Sequence, residues 1–331
     1  MISPMIIVEQ MLVICILILI GAFLHKKALL TDVGAAQIST LIVHVTNPAI
    51  MLSSAIEEES AIPAAEIGQA FALAVSAYAL AAGAGYLIAR LLKTDAGDRI
   101  AIVMMTMYAN VGFIGIPLVL ATLGTRAMVY VTINNLVYSL LFYTTGIPLI
   151  KRAARLHGGG EASDPKPDEH RSSWKSILKS LLHIGTIAAV LSIFVYLYHP
   201  AVPALISDPL LYAGRCTTFL SMLVLGVSVA ASPLKEFLTD IKVWCFILLR
   251  GLVVPIAVTL ILSPFIADQL LLDTVLILLA VPSGSLPMIV SRELHLDDRL
   301  FSRGIILSTL IAPVTIPVAM TAMHAVMELL H

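Results

Sequence analysis

The chain has 331 residues, of which 59% are hydrophobic and 12% charged, and its mean hydropathy is +0.98. Soluble domains run at roughly 45–50% apolar and about 25% charged, so this composition points to a lipid bilayer and excludes an ordinary soluble enzyme. The formal net charge of -1 gives no basis for a nucleic-acid partner.

Taking about 20 apolar residues per crossing, a first span is expected near residues 5–24. It has no Lys or Arg before it and His25-Lys26-Lys27 after it, the reverse of a cleavable signal, and is read as a retained span. Spans two to five follow near 38–55, 67–92, 100–123 and 127–150. Residues 151–176 include Gly158-Gly159-Gly160 and Asp164-Pro165-Lys166-Pro167 and read as a flexible linker. Spans six to ten are expected near 177–198, 210–231, 243–266, 271–290 and 301–329. Cys15, Cys216 and Cys245 lie in or beside these segments with no CxxC spacing. They are read as buried small hydrophobes, and neither a disulfide frame nor a metal site is expected.

Basic residues set the orientation. Seventeen Lys and Arg fall on the side reached after odd-numbered spans, while the other side has only Arg126 and Arg215, and Arg250 lies inside a span. The positive-inside rule then puts the linker in the cytoplasm and both termini outside the cell (inner) membrane.

Two spans are interrupted. The fourth carries Asn110-Val111-Gly112-Phe113-Ile114-Gly115-Ile116-Pro117, and the ninth Pro282-Ser283-Gly284-Ser285-Leu286-Pro287. Proline removes a backbone donor and clashes with the preceding turn, so each should split into two half-helices. Pro117 and Pro287 are 170 positions apart, and Pro148 and Pro317 are 169 apart. The expected fold is therefore an all-α membrane protein of ten transmembrane helices, in which residues 1–150 and 177–331 form two five-helix repeats. An odd number of spans per half inverts the second repeat relative to the first, so the broken fourth and ninth helices can cross.

The chemistry expected at such a crossing is that of a carboxylate site. A half-helix N-terminus carries unsatisfied N–H groups and roughly +0.5 of a charge, so two of them facing one cavity favour an anion. Asn110 can hold a carboxylate or satisfy its own broken helix. Ser283 and Ser285 can donate to the ligand or serve only as turn residues, with Gly284 keeping the wall thin. Gly115, Pro117, Pro282 and Pro287 shape the two breaks. Asn47, before Pro48 in the second span, needs a partner and should face the cavity or another helix. Asn134, Asn135 and Thr309 are expected one layer behind, where packing glue is the competing role. Arg250 lies about 12 Å inside its span at 1.5 Å rise per residue. It either meets an anion leaving inward or snorkels to the edge. His44, His183 and His324 are candidate proton carriers or packing residues, since no Asp or Glu is expected in the central part of any span.

Across almost the whole chain these residues resemble the auxin efflux carrier family, which includes bacterial malate and malonate permease-like proteins and the plant PIN-FORMED transporters. The resemblance rests on Asn110 followed by Gly115-Ile116-Pro117-Leu118, on Val281-Pro282-Ser283-Gly284 with Pro287 and Arg292-Glu293-Leu294, on Ser308-Thr309-Leu310 with Pro317, and on Thr46-Asn47-Pro48-Ala49. It implies a scaffold of spans one, two, six and seven, a mobile unit of the other six, an elevator-like movement and a homodimer. It also implies a substrate carboxylate near Asn110 and Ser283. Plant members place proline before the fourth-span Asn, where this chain has Ala109, and an amide residue where it has Ser283. Their third-span Asp and Lys have no counterpart between Ile67 and Ala89.

The expected function is secondary active or facilitative transport of a small organic anion, malate- or malonate-like or an auxin-like acid, with proton or sodium coupling left open and no cofactor. The alternative is a membrane sensor that binds a carboxylate without moving it. A short linker with no folded partner domain argues against that. An intramembrane enzyme would need a nucleophile and base, paired acids or metal ligands at depth, and the sequence has no such cluster.

Overall fold

A computed structural model of the chain describes residues 4–156, 183–233, 240–293 and 299–330. Most of the expected linker, the first residues of the expected sixth span and Leu294 lie outside the described residues. The described residues are helical, and their one extended pairing is a single bridge between Ala109 and Ser283.

Among the described residues seven helices are long and apolar enough to cross a membrane: Ile6–Lys26, Asp32–Glu57, Ala64–Leu91, Thr125–Ala153, Ala204–Ala230, Ile241–Phe265 and Arg299–Leu329. Three shorter apolar helices, Val111–Leu123, Ile184–Tyr198 and Gln269–Ala280, lie where the fourth, sixth and ninth spans were expected. In chain order the α-helical segments are α1 (Pro4–Lys26), α2 (Asp32–Leu41), α3 (Asn47–Glu57), α4 (Ala64–Leu91), α5 (Ala96–Met107) and α6 (Ile116–Leu123). They continue with α7 (Met128–Leu141), α8 (Ile147–Leu156), α9 (Ile184–Tyr198), α10 (Ala204–Ala230) and α11 (Ile241–Leu248). The last four are α12 (Val254–Leu262), α13 (Gln269–Ala280), α14 (Leu286–Glu293) and α15 (Arg299–Leu330).

Four joints share one construction. Wide π turns at Ile42–Thr46, Val111–Gly115, Phe142–Gly146 and Leu249–Val253 each end two residues before a proline: Pro48, Pro117, Pro148 and Pro255. At each joint the amide of the residue before the proline bonds five residues back, to the carbonyl of Ile42, Val111, Phe142 or Leu249. A proline ring clashes with the carbonyl four residues back and leaves it without a donor. One extra residue in the turn makes room for the ring, and the helix bends instead of ending.

Helix α1 lies along α10 at close range because glycines face each other there. A Cβ on Gly226 would strike the Ile18 carbonyl, and one on Gly21 would strike the Leu223 carbonyl. At Gly214 a Cβ would sit 2.9 Å from Cα of Ile50, so α10 also presses on α3. Helix α9 completes this group against α3. The remaining helices form a second group, with α4 packed on α5, α7 and α12, and α15 running along α11, α12 and α13. Leu12, Leu19 and Phe23 of α1 and Val190, Leu191 and Phe194 of α9 point outward, as a lipid-facing surface requires.

Two expectations about side-chain placement are corrected. Cys216 and Cys245 are exposed and Cys15 is partly so; they ride on outward helix faces, because an apolar segment in lipid has no need to bury its small residues. Arg250 does not snorkel: it is 1% exposed, turned inward where backbone carbonyls meet it.

Candidate functional site

The site is built where the two interrupted spans touch. Helix α5 ends at Met107, the chain is non-helical through Tyr108 and Ala109, and Asn110 starts the helical run that becomes α6. Helix α13 ends at Ala280, and residues 281–285 are extended or bent before α14. The two breaks satisfy each other: the Asn110 amide donates to the Pro282 carbonyl at 2.7 Å, and the Gly284 amide to the Tyr108 carbonyl at 2.8 Å. These are donors and acceptors that proline and loss of helix would otherwise orphan in a medium without water. Gly284 is required at this contact, since a Cβ would fall 2.9 Å from the Ala109 oxygen and 3.0 Å from that of Tyr108.

A cavity of about 850 Å³ runs from the paired breaks to the end of the molecule bearing Asp32, Pro233, Arg299 and Arg303. One wall is α2, α3 and α10, through Ser39, Asn47, Met51, Val224 and Ser228. The other is the second helix group, through Asn110 to Phe113, Asn135, Tyr138, Tyr143, Gly284, Ser285 and Thr309.

Of the expected residues, the structure brings Asn47, Asn110, Asn135, Gly284, Ser285 and Thr309 to this one cavity. Asn110 is 6% exposed, and its Oδ1 accepts from the Phe113 amide at 3.3 Å, capping the new helix. Its Nδ2 makes no hydrogen bond among the described residues, leaving donors beside the cavity. Asn47 reaches the π turn of the interrupted span, lying so close that a Cβ on Gly112 would be 3.1 Å from its Nδ2. Its buried Oδ1 has no partner among the described residues. Asn135 directs Nδ2 at the Met51 sulfur, 3.9 Å away.

Ser283, Pro282, Pro287, Gly115, Pro117, Asn134 and Arg250 do not line the cavity. Ser283 is fully buried and donates to the Met105 carbonyl at 3.0 Å, while its amide donates to Ser308 Oγ at 3.3 Å; it ties the ninth-span break to α5 and α15. Pro282 supplies the carbonyl that holds Asn110, and the carbonyl of Pro287 accepts from Ser291 Oγ at 2.9 Å. Gly115 lets α13 approach, since a Cβ there would lie 3.2 Å from Leu278, and Pro117 is buried at the start of α6. Asn134 lines a small second cavity with Tyr78, Tyr130 and Thr274, its buried Nδ2 without a hydrogen-bond partner among the described residues. Arg250 donates through Nη1 to the Val281 carbonyl and through Nε to that of Met105 at 3.4 Å.

The sequence reading missed three features. Tyr138 and Tyr143 reach the cavity, and Tyr138 belongs to an aromatic cluster with Tyr78, Tyr108 and Phe142 behind the fourth-span break; helical spacing from Asn135 was the signal. Asp273 is 2% exposed and pairs with His324 Nε2 at 2.8 Å, so a carboxylate lies buried in α13 near the edge of the expected ninth span, outside the central part for which none was expected. Of the other histidines, His44 and His183 have ring centroids 5.9 Å apart with planes tilted at 47°, and His183 caps α9. At the other end of the molecule Arg126 joins Glu58 at 3.2 Å and Glu66 at 2.9 Å, and Tyr130 bridges Glu66 and Asp268 at 2.7 and 2.5 Å.

No match to the chain is found among curated proteins. The family model described as membrane transport protein matches residues 6–320, nearly the full span of apolar helices, including both interruptions and the cavity between the helix groups. The chain is thus a multi-pass membrane protein and belongs to the membrane transport protein family, that of the auxin efflux carriers.

Proposed function

We propose that this chain is a secondary carrier of a small organic anion, working by alternating access around the paired breaks. The observation that carries the reading is the mutual pairing of the two breaks beside one cavity, with α6 and α14 both starting there. Two helix N-termini and the Asn110 amide supply donors at the breaks, and among the described residues the one acid lining the cavity, Asp32, is at its other end, an arrangement a carboxylate fits.

Packing supports two inverted repeats. Contacts of α1 with α10 recur five spans on as contacts of α9 with α3, those of α4 with α5 as those of α12 with α13, and those of α7 with α9 as those of α15 with α1. The group α1, α2, α3, α9 and α10 is our scaffold, and the remainder our transport unit. The cavity between them favours an elevator movement in which Asn110, Gly284 and Ser285 travel with the unit while Asn47 stays. The positive-inside rule makes the open end, with Arg299 and Arg303, the cytoplasmic one in an inner membrane, with both termini outside. A homodimer follows the family resemblance. We take Asn47, Asn110, Gly284 and Ser285 as substrate contacts and Gly115, Pro117, Pro282, Ser283 and Pro287 as the frame that holds them.

The test is binding and uptake with purified protein, using malate, malonate, short monocarboxylates and indole-3-acetate. Saturable uptake into liposomes of at least one acid is the expected result. Binding without uptake would favour a sensor, and silence in both assays would end the organic-anion reading.

A further inference from the structure

Each interrupted span brings two helix ends to the same place. Its N-terminal end, at Asn110 or Ser285, carries roughly +0.5 of a charge, and its C-terminal end, at Met107 or Ala280, roughly -0.5. In net charge these cancel, so the pull of the N-terminal ends on an anion is opposed by the C-terminal ends beside them unless something offsets those.

Arg250 removes that cancellation. Its guanidinium is buried behind the paired breaks and donates to Val281, the C-terminal cap of α13, and to Met105 in the last turn of α5. It touches both negative ends at once. Among the described residues it has no carboxylate partner, and its Nη2 is buried with no acceptor. The planar fork of arginine suits two carbonyls on separate segments, which a point-like ammonium reaches less well. Asn110 supplies the independent sign of a ligand, being 6% exposed with an unpartnered Nδ2 at the cavity.

We infer that Arg250 is the residue that makes the site select anions, acting from behind the breaks without touching the substrate, and that the site takes a single carboxylate charge. With roughly -1 from the two C-terminal ends offset by one guanidinium, the two N-terminal ends leave roughly +1 facing the cavity. A monoanion matches that charge, whereas a dianion brings one more than the site neutralises. This rests on the carrier reading above and names its substrate class.

The experiment compares each acid with its uncharged amide, because a purely structural arginine would affect both alike. Dissociation constants for indole-3-acetate and indole-3-acetamide, and for butyrate and butyramide, are measured on full-length wild type, Arg250→Lys and Arg250→Gln, each monodisperse by size exclusion. Wild type is expected to favour the acid at least tenfold, Arg250→Lys to keep most of that preference, and Arg250→Gln to bring the ratio near one with amide affinity unchanged. Equal weakening of acid and amide in Arg250→Gln, or an unchanged ratio, overturns the inference.

If Arg250→Gln does not fold, wild type alone decides. Malonate affinity is followed across its second ionisation, relative to butyrate, which corrects for titration of the cavity-lining Asp32 and His183. Relative affinity should fall as the dianion replaces the monoanion, and a rise overturns the inference. Wild-type protein that binds none of these acids would instead contradict the carrier reading itself.

Discussion

The amide of Asn110 and the carbonyl of Pro282 meet at 2.7 Å, so a residue of the fourth span and one of the ninth complete each other's backbone. The nearby Gly284–Tyr108 bond has the opposite sense. Neither break is satisfied alone, which couples the two halves of the chain at the point where substrate is proposed to bind.

Gly284→Ala should separate them. The new Cβ would meet carbonyl oxygens at 2.9 and 3.0 Å, and backbone cannot yield as a side-chain tip does. Overpacking of this kind costs about 1–3 kcal/mol. A fall of several degrees in Tm with at least a tenfold loss of uptake is expected. Wild-type behaviour in both would mean the breaks are not tightly joined.

Asn110→Asp separates capping from binding. The carboxylate can still accept from the Phe113 amide, so stability should stay within about 1 kcal/mol of wild type. Its negative charge replaces the free Nδ2 donors beside the cavity, and uptake of any acid should be abolished. Thermal unfolding and uptake on the same preparation check both halves of this expectation.

Asp273→Ala should be among the most damaging changes outside the site. It leaves His324 and the Gln269 amide, 2.8 and 2.9 Å from the carboxylate, without their partner. Leaving a buried polar group without its partner costs about 1–3 kcal/mol, and two are left here. A double-mutant cycle with His324→Ala should show a coupling of at least about 1 kcal/mol, and additive losses would show the contact to be incidental.

Arg126→Ala should act on movement more than on fold. Arg126 links Glu58, at the end of α3 in the proposed scaffold, to Glu66 on α4 of the proposed transport unit. Partly exposed pairs are worth at most about 1 kcal/mol each, so Tm should move little. Labelling of a cysteine placed at Ser54, buried under this end, should speed up if the bridge holds the end shut.

Glycine and proline made the two interruptions legible, because no continuous apolar helix accommodates Gly-Ile-Pro or Pro-Ser-Gly without losing backbone bonds. Asn47 and Asn110 were legible for the same reason: an amide at that depth must meet something polar. The four π turns were not, since α and π turns share the same residue preferences; only the proline two residues beyond each betrays them afterwards. The inward turn of Arg250 was hidden because a sequence does not say which helix face meets which neighbour. Ser283 was expected at the cavity, and it instead fastens the break from behind through Met105 and Ser308. Asp273 escaped notice because it lies just inside an expected span boundary, where a carboxylate is ordinarily hydrated.

The central claim is that the paired breaks form an anion site, and solid-supported-membrane current from protein in liposomes tests it most directly. Wild type should give a saturable, substrate-specific current with at least one monocarboxylate, and Asn110→Ala, folded and equally reconstituted, should give none. An undiminished current in Asn110→Ala would place the anion elsewhere and contradict the account.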